Sequence, residues 1–345
     1  MAGFVEKISV DRFLALGNTI PVVDVRSPGE YNYGHIPGAF NIPLFDNEQR
    51  AIVGTIYKQK GNLDAVLTGI DLAAPFMTTR LQEALVIAKE KKILVHCWRG
   101  GMRSEAMAWL FSLAGLKTYV LQGGYKAYRN YILDNIGIER KYVLLGGLTG
   151  SGKTELLKHL ASEGLQVTDL EGLACHKGSA FGALGQPVQP SSEHFANLLY
   201  SDLIGKSKED FIWLEDESRN IGSVFMPDNF FNRMLQSPVI ALMMSMETRL
   251  PRLIREYTKY PQEMIIGSIM KISKRLGGER TKAALDAVHN DDYATAIRIT
   301  LEYYDKAYNY GLSKRKEGQV IFVNTETDDI IVNAEKVRNA FSHVI

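Results

Sequence analysis

Short runs of β-branched and other apolar residues alternate along the chain with longer stretches of helical periodicity, and the alternation restarts near residue 140. In the first part, Ile20 to Val25, Ile93 to Cys97 and Thr118 to Leu121 are compact apolar runs of the kind buried in a parallel sheet. Gln122-Gly123-Gly124-Tyr125 breaks the last of them, and an amphipathic stretch from Tyr125 to Ile136 leads out through Gly137. The second part begins with Tyr142 to Leu145, which runs into a glycine loop and then a helix starting near Lys153. Its further strands are predicted at Gln166 to Leu170, Phe211 to Leu214, Val239 to Met244 and Val320 to Val323. The stretch from Glu247 to Gly311 carries almost no strand signal and reads as several helices. The expected architecture is α/β in two domains, residues 1–138 and 139–345, the second a P-loop NTPase-like parallel sheet with a helical, basic insertion over 247–311.

At 345 residues and 46% hydrophobic, the chain is long enough for two buried cores. Lys plus Arg (40) nearly cancel Asp plus Glu (39), so bulk charge selects neither nucleic acid nor an anionic membrane as partner. The helical insertion is the local exception, with nine Lys or Arg against four Glu between Glu247 and Lys282. Arg249, Arg252 and Arg255 recur every three residues, and Lys271, Lys274, Arg275, Arg280 and Lys282 follow, a set able to track a nucleic-acid backbone. The N-terminal residues lack the basic-then-apolar build of a secretion signal. No run approaches the roughly 18 apolar residues that span a bilayer, so a cytoplasmic protein without a membrane partner is expected. Two cysteines, Cys97 and Cys175, provide neither a disulfide framework nor a thiolate zinc site. Cys97 is then free for chemistry, and Cys175 is expected to be a passive small residue.

Cys97 ends a strand and opens the run Trp98-Arg99-Gly100-Gly101-Met102-Arg103-Ser104. A tight glycine turn from strand to helix makes successive backbone N–H groups converge above the sulfur, and the helix terminus adds partial positive charge. Such a nest binds an oxyanion and presents it to the thiolate, with Arg99 and Arg103 adding charge and Ser104 capping the helix or donating a hydrogen bond. Asp24 and His35 are expected to be structural.

Gly147-Leu148-Thr149-Gly150-Ser151-Gly152-Lys153-Thr154 matches Gly-x4-Gly-Lys-Thr between an apolar strand and a helix. Gly147, Gly150, Ser151 and Gly152 bring backbone N–H groups to a diphosphate, Lys153 bridges its oxygens, and Thr154 suits a magnesium ion. The strand Phe211 to Leu214 runs into Glu215-Asp216-Glu217, where Asp216, with Glu215 beside it, is the candidate magnesium or phosphate site. A P-loop reads phosphates rather than the group attached to them, so ATP and other diphosphate esters are both open. No tightly bound cofactor and no certain metal is expected.

The Cys97 loop, Val23-Asp24-Val25-Arg26-Ser27-Pro28-Gly29-Glu30-Tyr31 and Gly34-His35-Ile36-Pro37-Gly38-Ala39 together resemble the rhodanese family of sulfur-transfer domains over roughly residues 5–135. That resemblance implies a small α/β domain whose cysteine carries a persulfide. One departure matters: Cys97 to Arg103 is Cys-x5-Arg, one residue longer than the usual sulfurtransferase loop and equal to the spacing in dual-specificity phosphatases. A wider nest suits a tetrahedral oxyanion, so a phosphatase-like domain fused to a P-loop kinase stays open, as does a persulfide sulfurtransferase coupled to an ATP-dependent enzyme.

Further stretches, Val53 to Gln59, Asp169 to Ala174, His176 to Ser179, and Trp213 to Arg219 with Ile221-Gly222, extend the likeness over nearly the whole chain. With the two fused domains they resemble the family of tRNA 2-selenouridine synthases. That resemblance implies a transferase replacing sulfur by selenium at C2 of the wobble 2-thiouridine, with the tRNA anticodon arm as partner and selenophosphate as donor. It also implies S-geranylation from geranyl diphosphate, which the P-loop is expected to hold. Cys97 is expected to take selenium from selenophosphate, and the perselenide, or selenophosphate directly, then attacks C2 and expels geranyl thiol. Trp98, His176, Lys177, Ser179, Arg219, Arg249, Arg252, Arg255, Lys274 and Arg275 are candidate substrate or tRNA contacts.

Overall fold

The structure, a computed structural model, describes residues 4–138 and 140–343; Glu139, at the expected domain boundary, lies outside the described residues. The chain divides into two compact units, Met1–Asn135 and Ile136–Ile345.

The first unit is a parallel sheet of β1 (Val5–Ile8), β2 (Val22–Asp24), β3 (Phe40–Asn41), β4 (Lys92–His96) and β5 (Lys117–Leu121), in the order β1-β5-β4-β2-β3. Strands β2, β4 and β5 are the three apolar runs: β2 is shorter than predicted at both ends, β4 is shifted one residue earlier, and β5 begins one residue earlier. Helices lie between successive strands, and Val23, Val25, Ile93 and Val95 join Met107, Phe111 and Leu116 in one core. A strand covered on both faces has no need of alternation, which is why these runs are continuous in the sequence. Short β1 and β3 lie at the two edges.

The second unit holds β6 (Tyr142–Gly147), β7 (Gln166–Val167), β8 (Ile212–Glu215), a two-stranded ribbon β9 (Asn220–Ile221) with β10 (Val224–Phe225), then β11 (Val239–Met244) and β12 (Val320–Thr325). Its main sheet is parallel in the order β12-β11-β6-β8-β7. The glycine loop leaves the C-terminal end of central β6, the edge where open α/β sheets bind ligands. The run Gln166 to Leu170 is strand only as far as Val167. Asp169 accepts a hydrogen bond from Gly172 N–H and caps a short helix, Leu170–Ala174, so the backbone turns there instead of extending.

The helical insertion is confirmed as Met246–Tyr257, Gln262–Lys271, Ser273–Leu276, Gly278–His289 and Tyr293–Ser313. These helices have their own core, in which Leu253, Tyr257, Ile265, Ile269 and Leu301 pack with Phe181 and Leu184 from the loop region after Cys175. Among the described residues no helix is long and apolar enough to cross a membrane.

Candidate functional site

Cys97 follows β4 directly, and its loop lies on the turn that begins the helix Gly124–Asn135. Tyr125 N–H donates to Cys97 C=O at 2.8 Å and Lys126 N–H to Trp98 C=O at 2.9 Å. The approach is so close that a Cβ on Gly124 would stand 2.5 Å from the Cys97 carbonyl, and one on Gly100, at φ +67°, 2.5 Å from that of Leu121. The loop shape therefore depends on both glycines.

The thiol is only 3% exposed. Its Sγ is 3.2 Å from Ser104 Oγ, and that hydroxyl is 2.9 Å from Gly101 C=O. Ser104 does not cap the helix Met102–Leu113: the N-cap is Gly101, which makes no side-chain cap bond. The two loop arginines differ. Arg103 donates to both Glu30 oxygens, at 2.9 and 3.5 Å, with Arg50 3.7 Å from the same carboxylate. Burial alone would raise the Glu30 pKa, but Arg103, Ser27 N–H and Arg50 together hold it below 4.5. Arg99 is exposed, and no described residue pairs with it.

Trp98 is half-buried, tilted against Tyr125 at 5.7 Å with the Arg26 guanidinium 5.9 Å from its ring. Asp24 and Arg26 form a buried pair, 2.6 Å apart, that also bonds Gly34 C=O at 2.7 Å. His35 stacks on Tyr31 at 3.8 Å.

In the second unit the P-loop opens into a cavity of about 890 Å³. Gly147, Gly150, Gly152, Lys153 and Thr154 line one side, whereas Phe181, Leu253, Tyr257, Tyr303, Tyr304 and Leu312 bring aromatic and aliphatic surface to it. Lys153 Nζ donates to Gly147 C=O at 3.0 Å, and Ser151 is buried with no partner for its hydroxyl among the described residues. Thr154 Oγ1 donates to Glu171 at 2.8 Å.

Asp216 follows the end of β8 and lines the same cavity as the P-loop; burial raises its pKa, while Arg315 and Lys153 pull it down. It is ion-paired with Arg315 at 2.5 Å, and Tyr308 Oη stands 3.5 Å from its other oxygen. A Cβ on Gly146 would collide with the Tyr308 hydroxyl. Glu215 is fully buried and accepts from Leu170 N–H at 2.9 Å, its pKa pushed well up by burial and then by Asp169 and Glu171. Glu217 lines the cavity, and burial, followed by the charge of Glu171, pushes its pKa up to about 8. Glu171, Glu217, Tyr308 and Arg315 were not predicted. The first two lay inside recognised stretches, but nothing local marks the other two.

The proposed arginine face is corrected. Arg249 is 1% exposed, donates to Asp305 at 2.6 and 3.0 Å and to Thr149 C=O at 2.9 Å, and so braces the P-loop from inside. Arg252 lies against Gly152 and lines the cavity, with Asp328 and Glu155 as its ion partners. Three-residue spacing is 300° around a helix, and over six residues it carries the face from core to solvent. Only Arg255 points outward, 3.5 Å from Asp328. Lys274 and Arg275 are exposed, and Arg275 reaches the cavity rim. Lys177 and Ser179 line the cavity, Lys177 ion-paired with Glu256; Arg219 pairs with Asp228. His176 is buried beside Gly182 with Nδ1 unpartnered, and burial lowers its pKa. Cys175 is the left-handed C-cap of the helix Leu170–Ala174.

Fold and sites together define a two-domain protein, a rhodanese-like domain with one loop cysteine followed by a P-loop domain. A rhodanese-like domain model matches residues 9–131, and the model of the tRNA 2-selenouridine synthase AAA domain matches residues 140–339. The chain is 35% identical over 347 residues to the tRNA 2-selenouridine synthase of a Sulfurovum species, covering 90% of this chain and 93% of that one. It is 31% identical over 348 residues to that of Nitrosomonas europaea (86% and 90% covered) and 34% over 342 residues to that of Bordetella petrii (88% and 89%). The chain belongs to the tRNA 2-selenouridine synthase family.

Proposed function

We propose that this protein replaces sulfur by selenium at C2 of the wobble 2-thiouridine of tRNA, through an S-geranylated nucleoside, with selenophosphate as donor. Family membership supports the overall conversion. The observation that carries the two-step route is the second-unit cavity, where a diphosphate-gripping loop and an aromatic wall share one space. A nucleoside triphosphate needs the first surface, but an isoprenoid diphosphate uses both.

In this reading the backbone N–H groups from Gly147 to Thr154 and the Lys153 ammonium hold the diphosphate. The chain of geranyl diphosphate lies toward Phe181, Leu253 and Tyr257. As the thiouridine sulfur attacks the allylic carbon, the C–O bond breaks and its electron pair leaves with the diphosphate, where Lys153 neutralises the growing charge. The geranylated sulfur is a better leaving group. Selenophosphate is held at the Cys97 loop by Arg99, Arg103 and the loop N–H groups, and its selenium displaces geranyl thiol at C2. Any magnesium ion on the diphosphate would be held from Thr154 and Glu171, since Asp216 is committed to Arg315.

Mass spectrometry of tRNA from cells carrying Cys97→Ala or Lys153→Ala tests the division of labour. The cysteine variant is expected to lose free 2-selenouridine while its geranylation step persists, and the lysine variant to lose both. Loss of both marks in the cysteine variant would overturn it.

A further inference from the structure

Selenophosphate already carries fully reduced selenium. To bond that selenium to Cys97 sulfur removes two electrons, so phosphorus would have to leave as phosphite or an oxidant would have to be supplied. Displacement at C2 needs neither. The C2–S bond breaks, geranyl thiol leaves, and the nucleoside keeps a selenium that still bears the phosphoryl group.

Resting on the reading that selenophosphate is the donor, we propose that Cys97 is a phosphoryl acceptor rather than a selenium carrier. Its thiolate attacks phosphorus, an S–P bond forms as the Se–P bond breaks, and water then hydrolyses the cysteinyl phosphate to inorganic phosphate. The Se–P electron pair stays on selenium, whose negative charge spreads into the N3–C2 ring, so this leaving group needs no proton donor. No oxidation state changes.

Four features of the loop fit this step. Cys97 and Arg103 enclose five residues, a width suited to a tetrahedral oxyanion. Glu30 grips Arg103 at 2.9 and 3.5 Å and so fixes the guanidinium plane near the loop before any anion arrives. Gly101 leaves the first-turn N–H groups of the following helix unclaimed by a side-chain cap. Ser104 Oγ is 3.2 Å from Sγ, and its proton, which it donates to Gly101 C=O at 2.9 Å, can turn to the sulfur when hydrolysis expels it as thiolate.

The test is a single turnover of the full chain with S-geranylated tRNA and 32P-labelled selenophosphate, quenched in denaturant. We expect 32P on the Cys97 peptide. Ser104→Ala should slow turnover about tenfold, one missing hydrogen bond to a charged atom, and raise the labelled fraction several-fold, with Ser104→Thr restoring both. Normal selenation without 32P on the protein in either form, or selenium on Cys97, overturns the proposal. If no selenium enters tRNA, the donor reading fails instead. Cys97-dependent release of nitrophenolate from 4-nitrophenyl phosphate, blocked by vanadate, then decides the phosphoryl step, and no release sinks it.

Discussion

Glu30 and Arg103 stand 73 positions apart, yet the arginine in the thiol loop is oriented by that one carboxylate. Local motifs single out Cys97, Lys153 and Thr154 as candidates because the cysteine loop and the P-loop are each written within a few consecutive residues. The partners that aim or brace them come from other elements: Glu30 for Arg103, Arg315 for Asp216, Asp305 for Arg249. No spacing rule links such pairs. At the same scale, His96 precedes Cys97 with its ring fully buried. Burial lowers its pKa below 6.5; Asp24, 3.8 Å away, and the Cys97 backbone pull it up, whereas Arg26 and His35 push it down. The folded state therefore keeps His96 neutral where the unfolded chain takes a proton. Unfolded chains bind more protons below pH 6.5, so stability decreases as the pH is lowered there, by at most about 1.4 kcal/mol per pH unit for one group. Hydrogen exchange in β4 between pH 7.5 and 5 should show this slope, and His96→Leu should flatten it. An unchanged slope in that variant would assign the acid sensitivity to another group.

Among elements, strands buried on both faces were legible as apolar runs, and Val239–Met244 is strand over its whole predicted length. Edge pieces β1 and β3 were not, since four and two residues leave too little pattern. The helical insertion was legible as helix but not in orientation. A charge triplet on Met246–Tyr257 reads as one surface only if all three guanidiniums reach water, and the P-loop behind the helix takes two of them. A stability difference follows. Arg249→Met leaves Asp305 and Thr149 C=O without their donor and should cost about 3–5 kcal/mol, as when one partner of a buried pair is removed. Arg255→Met, whose side chain is 71% exposed, should change stability by no more than about 0.5 kcal/mol. Chemical denaturation of the second-unit transition measures both. Equal costs would mean that the helix does not brace the loop.

At the scale of the molecule, the chain forms two units with separate cores. The first unit closes its core around β2 and β4, while the second has one core under its sheet and another within the helices. Restarting periodicity near residue 140 made this division readable, but the sequence carries no signal for why the units share a chain. Mass action supplies a reason. In the proposed route, a geranylated tRNA still held by one site would meet the other at an effective concentration of about 1 mM if a short flexible linker joins them. Residues 1–138 and 139–345, produced separately and mixed at about 1 µM, lose that advantage, up to roughly a thousandfold in second-order encounter. Geranylation by the second piece should persist, S-geranyl tRNA should accumulate, and selenium incorporation should recover as the first piece is titrated upward. If the dilute mixture incorporates selenium as fast as the intact chain, the fusion serves something other than transfer of the geranylated nucleoside.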